Sequence, residues 1–516
     1  MSVNFEIESI NLNELKKNEQ SILLVEGDII VPDVNPDISK ILLADANASI
    51  LSKDYQNGKI NVMGCLFVNI LYLPERTEEN APRLKAINTK LDFQDSIACS
   101  LENPLMSAVA NVLSVNFNLV NSRKVNIKVT VELKTKAYVK KELPLITGIS
   151  DEDMAETKKK NISIHSTTAD CQKEFVFTEN LEVPAAKCDI EEILKTNVSI
   201  IKGECKTSEN NIALRGVVNV LTLYTGFEEG FIHECMEHEL PFYENIEVEG
   251  LFEDCMCNVT YDIKDVSIKV IDDLNGDPRM IALSVTICAN ITASKIYDMD
   301  ILEDLYCPGK KCELKRETNR LRKNVNEGTS RAALKNIMML TDGKPDITKV
   351  YNVTARPVIR EYEIRDAKLV LSGDITAFLI YCAADGVLNS ETCEFAFQHS
   401  IDIDPVEENC LCEYNACVTG TNFNIMSERE VEIRTNVEFF VRMTEEFDSY
   451  MISDCTVSDA EEDLKNLPQI IIYCIQKGDT LWDIAKQYNT TIKRIKDVNH
   501  IDELLPPGEK ILIPAR

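Results

Sequence analysis

One spacing recurs three times in this chain, and no other feature constrains the fold as tightly. An Asp stands 27 residues before a Gly, and that Gly 8 residues before a Tyr, at Asp37, Gly64 and Tyr72, at Asp189, Gly216 and Tyr224, and at Asp346, Gly373 and Tyr381. The copies begin 152 and 157 residues apart. Solenoid units run to about 20–50 residues, so each copy marks a whole domain and the domains lie in tandem.

Each copy reads as β-structure. Gly64, Leu66, Val68, Ile70 and Tyr72 share one side of an extended strand, as do Gly216, Val218, Val220 and Tyr224, and Gly373, Ile375, Leu379 and Tyr381. A Gly at the head of such a run marks a bulge or a close backbone approach, and a terminal Tyr packs its ring while its hydroxyl reaches the rim. Asn57-Gly58 predicts a hairpin, because both residues tolerate positive φ. Further on come a Phe (Phe93, Phe242, Phe397) and an Arg (Arg123, Arg279, Arg429) leading another alternating strand. The expectation is a mainly β protein: three tandem antiparallel domains, sandwiches or partly open barrels. Each would be opened by a short helix at its Asp-Ile segment.

The chain has 516 residues, of which 44% are hydrophobic, enough for several ordinary cores. Its formal net charge of −30 argues against nucleic acid or an anionic membrane as partner, since both require clustered cations. A partner with a basic patch fits better. No apolar run of 18 residues occurs and the N-terminus lacks an apolar export signal, so no membrane span is expected and the protein is expected to stay where it is made. The 18 cysteines are then read as reduced thiols. Cys255/Cys257 and Cys410/Cys412 fall where the first copy has Met106/Ala108, which favours apolar packing over a metal site.

Read in order, residues 1–147 hold the first repeat, with a polar lead-in from Leu12 to Gln20 that can form a helix, and a polar loop at Pro74 to Arg83. Residues 148–299 hold the second. Residues 300–447 hold a basic connector, Lys310 to Leu340, and the third repeat. The connector reads as helical, either solvated or a docking face for an acidic surface, including this protein's own. An acidic stretch over 448–468 reads as linker.

The last segment, 469–516, reads strand, helix, helix, strand. Gly478-Asp479-Thr480 turns into a helix with Leu481, Ile484, Ala485 and Tyr488 on one face, capped by Thr480 with Asp483. Thr491 caps a second helix, with Ile492, Ile495 and Val498 expected as its buried stripe. Pro507-Gly508 turns into the final strand.

This segment resembles a LysM domain, through Gly478-Asp479-Thr480-Leu481-Trp482, Ile484-Ala485, Asn499, Pro507-Gly508 and the Ile513-Pro514 ending. The resemblance implies binding of N-acetylglucosamine glycans such as peptidoglycan. The implied groove is lined by Gly478, Asp479, Thr480 and Leu481 on one side and by His500, Ile501, Asp502, Glu503 and Leu504 on the other. The three repeats are similar to the spore-coat-type SPOCS repeats, and three of them before one LysM domain is the arrangement of the SipL-like spore coat morphogenetic proteins. What this implies is a non-enzymatic adaptor in the mother-cell cytoplasm, joining the ATPase of the coat's basement layer to the forespore surface. A peptidoglycan-binding protein with the repeats as spacers is the alternative.

Catalytic and metal motifs were weighed beside this. His233 and His238 are five apart, whereas a zinc-protease helix needs two His at i and i+4; an exposed acidic strand is the simpler reading. Cys307 and Cys312 flank a turn. No Gly-x-x-x-x-Gly-Lys and no Gly-x-Ser-x-Gly occurs. No enzyme, cofactor or metal site is expected.

Overall fold

In the computed structural model the described residues are 4–75, 84–150, 155–227, 233–384, 386–405, 410–459, 469–501 and 506–514. The loop expected at Pro74 to Arg83 falls almost wholly outside them. Each repeat is a sandwich of two three-stranded antiparallel sheets, with no closed barrel. In the first repeat β1 (Phe5–Ile30), β6 (Lys124–Ile149) and β5 (Leu105–Asn121) form one sheet, and β2 (Ile38–Gln56), β3 (Lys59–Pro74) and β4 (Lys85–Ala98) the other. The second repeat matches it, with β7 (Glu156–Glu182), β12 (Met280–Tyr306) and β11 (Met256–Ile271) facing β8 (Ile190–Ser208), β9 (Asn211–Gly226) and β10 (His233–Glu247). In the third, β13 (Lys310–Met339), β18 (Glu430–Asp459) and β17 (Cys410–Ser427) face β14 (Ile347–Arg365), β15 (Lys368–Ala383) and β16 (Leu388–Asp402).

The five repeated residues all build this sandwich. Each marker Gly pairs across the strands with the marker Phe: Gly64 with Phe93, Gly216 with Phe242, Gly373 with Phe397. A Cβ at Gly64 would stand 2.2 Å from the Phe93 ring, so the missing side chain makes room for the aromatic one. The marker Tyr hydroxyls donate to the carbonyl just before the marker Asp: Tyr72 to Pro36 (3.0 Å), Tyr224 to Cys188 (3.0 Å), Tyr381 to Pro345 (3.1 Å). Each marker Arg binds the marker Asp, Arg123 to Asp37 at 2.6 Å, Arg279 to Asp189 at 2.5 Å and Arg429 to Asp346 at 2.9 Å. The same guanidinium caps carbonyls of the turn between the two sheets, such as Val31 and Pro32. Asn57 and Gly58 have φ of 51° and 72°, the hairpin conformation expected of them.

The expected Asp-Ile helices are strands. β2, β8 and β14 start there, and each carries two bulges three residues apart, at Ile38/Lys40 and Ile41/Leu43 in β2 and at matching positions in the others. Two slips of register at that interval bury residues at a spacing of three to four, which imitates a helical stripe. The lead-in from Leu12 to Gln20 is likewise strand. So is the basic connector, whose Lys and Arg pair across to the acidic strand β18: Lys335 with Glu432, Arg331 with Glu438, Lys323 with Glu445 and Arg322 with Glu446, at 2.5–3.0 Å. Cross-strand charge pairs and the backbone ladder outweigh helix propensity here. The connector thus docks on an acidic surface of its own chain, as a strand. β12 continues past residue 299 to Tyr306, and β18 carries the acidic stretch from Asp448 as strand to Asp459.

The first and last strands of each repeat are longer than the sandwich. Past a bulge at the same place in each repeat (Leu15/Lys17, Ala293/Ser294, Asn324/Asn326), they run on as two-stranded arms. A bulge bends a strand and re-aims its side chains. The arms converge, so Ile10 and Leu143, Ile164 and Ile301, and Leu321 and Met451 bury together in one core drawn from all three repeats. The other sheets meet in a second shared core, where Leu71, Leu223 and Ile380, equivalent in the three repeats, lie together. The body is therefore pseudo-threefold. At its junction the half-buried Asp45 carboxylate accepts from Arg356 at 2.5 Å and from Lys195 at 3.3 Å, one residue from each repeat. Burial alone would raise Asp45, but Lys195 and Arg356 outweigh it and hold the carboxyl at about 2.

Candidate functional site

The C-terminal module pairs β19 (Ile470–Cys474) with β20 (Lys510–Pro514) and places α1 (Leu481–Gln487) and α2 (Ile492–Asn499) between them. Thr480 and Thr491 cap the helices, each hydroxyl accepting from the backbone N–H three residues on. Leu481, Ile484, Ala485, Ile495, Ile511 and Ile513 form the core. Val498, expected within it, is 43% exposed; the turn of α2 that Asn499 ties to Leu512 (bonds of 2.6 and 2.7 Å) leaves that position facing outward.

Gly478 lies exposed in the strand-to-helix turn with φ of 101°. The Asp479 carboxylate accepts from Tyr473 Oη and from the Gln476 N–H, both at 2.8 Å, so it holds the turn. Thr480 is committed to capping and its hydroxyl donates to Asp483 at 2.6 Å. Leu481 is buried, and Ile501 packs half-buried against the same core, so the two loops share one root. His500 is exposed, with φ of 53°. Asp502, Glu503 and Leu504 lie outside the described residues. The side chains singled out in the first loop thus shape it, while the exposed surface is Gly478 and the backbone around it.

Sequence reasoning favours packing for Trp482, beside the apolar stripe, and the structure packs it, against a partner the sequence does not give. Its ring is 8% exposed and stands edge-on to Tyr306 of β12, with centroids 5.1 Å apart. Its indole N–H donates to Asp304 at 3.1 Å, and Lys486 donates to the same carboxylate at 2.5 Å. Burial would raise Asp304, yet these two hydrogen bonds win and hold it below the usual range. Tyr306 donates to the Thr490 carbonyl at 2.9 Å, and the Gly309 N–H to Asn489 at 3.0 Å. The module is therefore seated on the end of the second repeat through one face of α1 and the turn after it. A large aromatic beside, not within, the apolar stripe of so small a module was the available signal.

The remaining candidates are structural. His233 and His238 lie on a strand; His233 is buried, edge-on to Tyr351, not exposed as expected, and His238 bonds the Glu182 carbonyl at 3.0 Å. Five residues apart on a strand, they point to opposite faces. Cys255 and Cys257 lie in or against the second repeat's core and Cys410 and Cys412 against the third's, as Met106 and Ala108 do in the first. Among the described residues no group of three or more His, Cys, Asp or Glu is arranged to hold a metal ion, and no helix is long and apolar enough to cross a membrane.

The architecture defines a multi-repeat β scaffold carrying one small binding module. The model of the SipL SPOCS domain matches residues 37–132, 189–271 and 346–426, just over half of the chain, and the LysM domain model matches 473–514. The chain belongs to the SipL family. Both matched domains are non-catalytic binding domains, and the family places the protein among spore-associated proteins, with a module of the peptidoglycan-binding type. No curated protein and no solved structure matches it.

Proposed function

We propose that this protein is a non-enzymatic adaptor of spore coat assembly. It acts in the mother-cell cytoplasm, joining the ATPase of the coat's basement layer to the forespore surface through its LysM module and β repeats. What supports this reading is the seat of the module: α1 is committed to Asp304 and Tyr306, while Gly478 and His500 stay exposed. The repeats then carry the module with these residues uncovered, and two weak contacts made through one chain reinforce each other. Calorimetric titration of the full chain with the purified ATPase tests it; saturable binding is expected, and no heat on addition of the ATPase overturns it.

A second reading is a peptidoglycan binder whose groove spans residues 478–481 and 500–504. The shared root of Leu481 and Ile501 favours it, since it anchors the start of each segment on one core. Titration with N-acetylglucosamine oligomers separates the readings. Calorimetry is the suitable probe, because Trp482 reports the seat of the module.

A further inference from the structure

The two sheets of the second repeat meet along a seam between β8 and β11 that carries a thiol on each side. A bulge at Lys202/Cys205, where Gly203 presses so close to the Arg215 carbonyl that a Cβ would stand 2.6 Å from it, shifts the register so that Cys205 re-enters the ladder opposite Leu214 with its thiol at β11. There its Sγ lies 3.7 Å from the Cys257 carbonyl oxygen, so the Cys205 thiol reaches the residue that carries the second one. Lys202 is pinned to the same seam by its bond to Asn258 at 3.1 Å. Both cysteines are half-buried, so a small oxidant reaches them. The hydrogen bond from Cys257 depresses the Cys205 thiol, with Lys202 adding to the effect against burial, while Cys257 is pushed up. At the equivalent seam of the third repeat Tyr362 faces Tyr414. The thiol pair belongs to the second repeat.

We infer that Cys205 and Cys257 form a redox pair that closes to a disulfide and staples the two sheets of the second repeat. With a peroxide as oxidant, the Cys205 thiolate attacks one peroxide oxygen to give a sulfenic acid and release water. Cys257 sulfur then displaces the sulfenic oxygen as a second water. Two thiols are oxidised by two electrons and the peroxide is reduced to two waters. Cys205 is the attacking group because its thiol is the one lowered, while that of Cys257 is raised, and Cys257 resolves. The third repeat, lacking the pair, stays unstapled.

The test treats the full chain with hydrogen peroxide near neutral pH and maps disulfides by mass spectrometry of peptides prepared without reduction. A Cys205–Cys257 linked peptide is expected to form ahead of oxidation at the exposed Cys417 and Cys474, and to reverse with dithiothreitol. The oxidised protein should melt several degrees higher, a rise that Cys205→Ser and Cys257→Ser each abolish. Alkylation of the unmodified chain gives a second measure that needs no variant: Cys205 should react with iodoacetamide well below the pH at which an ordinary thiol does. Consumption of Cys417 and Cys474 while Cys205 and Cys257 remain reduced, or ordinary alkylation at Cys205, overturns the proposal.

Discussion

The ring of Phe242 occupies the space where Gly216 has no side chain. A Cβ on Gly216 would stand 2.6 Å from Phe242 Cε1 and 2.9 Å from the Ile201 carbonyl oxygen, closer than real Cβ contacts come. Gly216→Val should therefore destabilise the second repeat by about 2–3 kcal/mol, the range for overpacking a tight interior. Phe242→Ala in the same chain should recover part of that loss but not all, because the Ile201 backbone cannot retreat. Denaturant titration of the two single variants and the double variant gives the coupling; strictly additive losses would show that ring and glycine do not meet.

Asp45 holds the cations of two other repeats at the threefold junction. Replacing it by Ala leaves Lys195, 5% exposed, and the partly buried Arg356 facing each other unpaired, a loss of about 3 kcal/mol. Since each repeat supplies one of the three charges, the variant should loosen contacts between repeats before it unfolds any of them. Hydrogen exchange would show this as early exposure at the junction, around Leu71, Leu223 and Ile380.

His165, buried on β7 beside Glu327 and Arg442, gives the packing of the arms a pH dependence. Burial first, and then the neighbouring Arg442, lowers it to about 4. The unfolded chain binds this proton at its ordinary value near 6.5, so it takes up protons that the folded chain refuses between about 6.5 and 4. The stability contribution is full above about 6.5 and is lost as pH falls toward 4, by up to about 3 kcal/mol. His165→Gln should flatten the denaturant midpoint between pH 7 and 5, and an unchanged slope would count against it.

Asp304 carries the seat of the C-terminal module by binding both Trp482 and Lys486. Asp304→Ala should let Trp482 emission shift to the red, and the shift should appear without loss of the β-sheet signal of the body. Since the module's own core is small, its melting should separate from that of the repeats. Emission that stays unchanged would place the indole elsewhere.

Much of the repeat was legible because its five markers act locally and in pairs. Gly and Phe share a register, Tyr reaches the carbonyl before Asp, and Arg clasps Asp itself; each has a signature in spacing. The LysM module was legible for the same reason, through Thr480, Thr491 and the apolar faces of two short helices. What escaped was decided by distant chain. The Asp-Ile segments look helical because paired bulges bury Ile38, Ile41 and Leu42 at helical intervals, and the second burying surface comes from the other repeats. The residues from Lys310 are strong helix formers whose strand character comes from a partner strand about a hundred residues later. Trp482 finds its pocket on β12, nearly two hundred residues earlier.

The shared core of the arms also sets an order of events at the ribosome. The arm of β1 and β6 contributes Ile10 and Leu143, but the residues that cover them include Leu321, Phe447 and Met451. At about 5–20 residues per second, the first arm waits tens of seconds between emerging and being enclosed. Its apolar side lacks the third repeat's share of that cover for all of that time, so the nascent protein carries exposed apolar surface until its last arm is made.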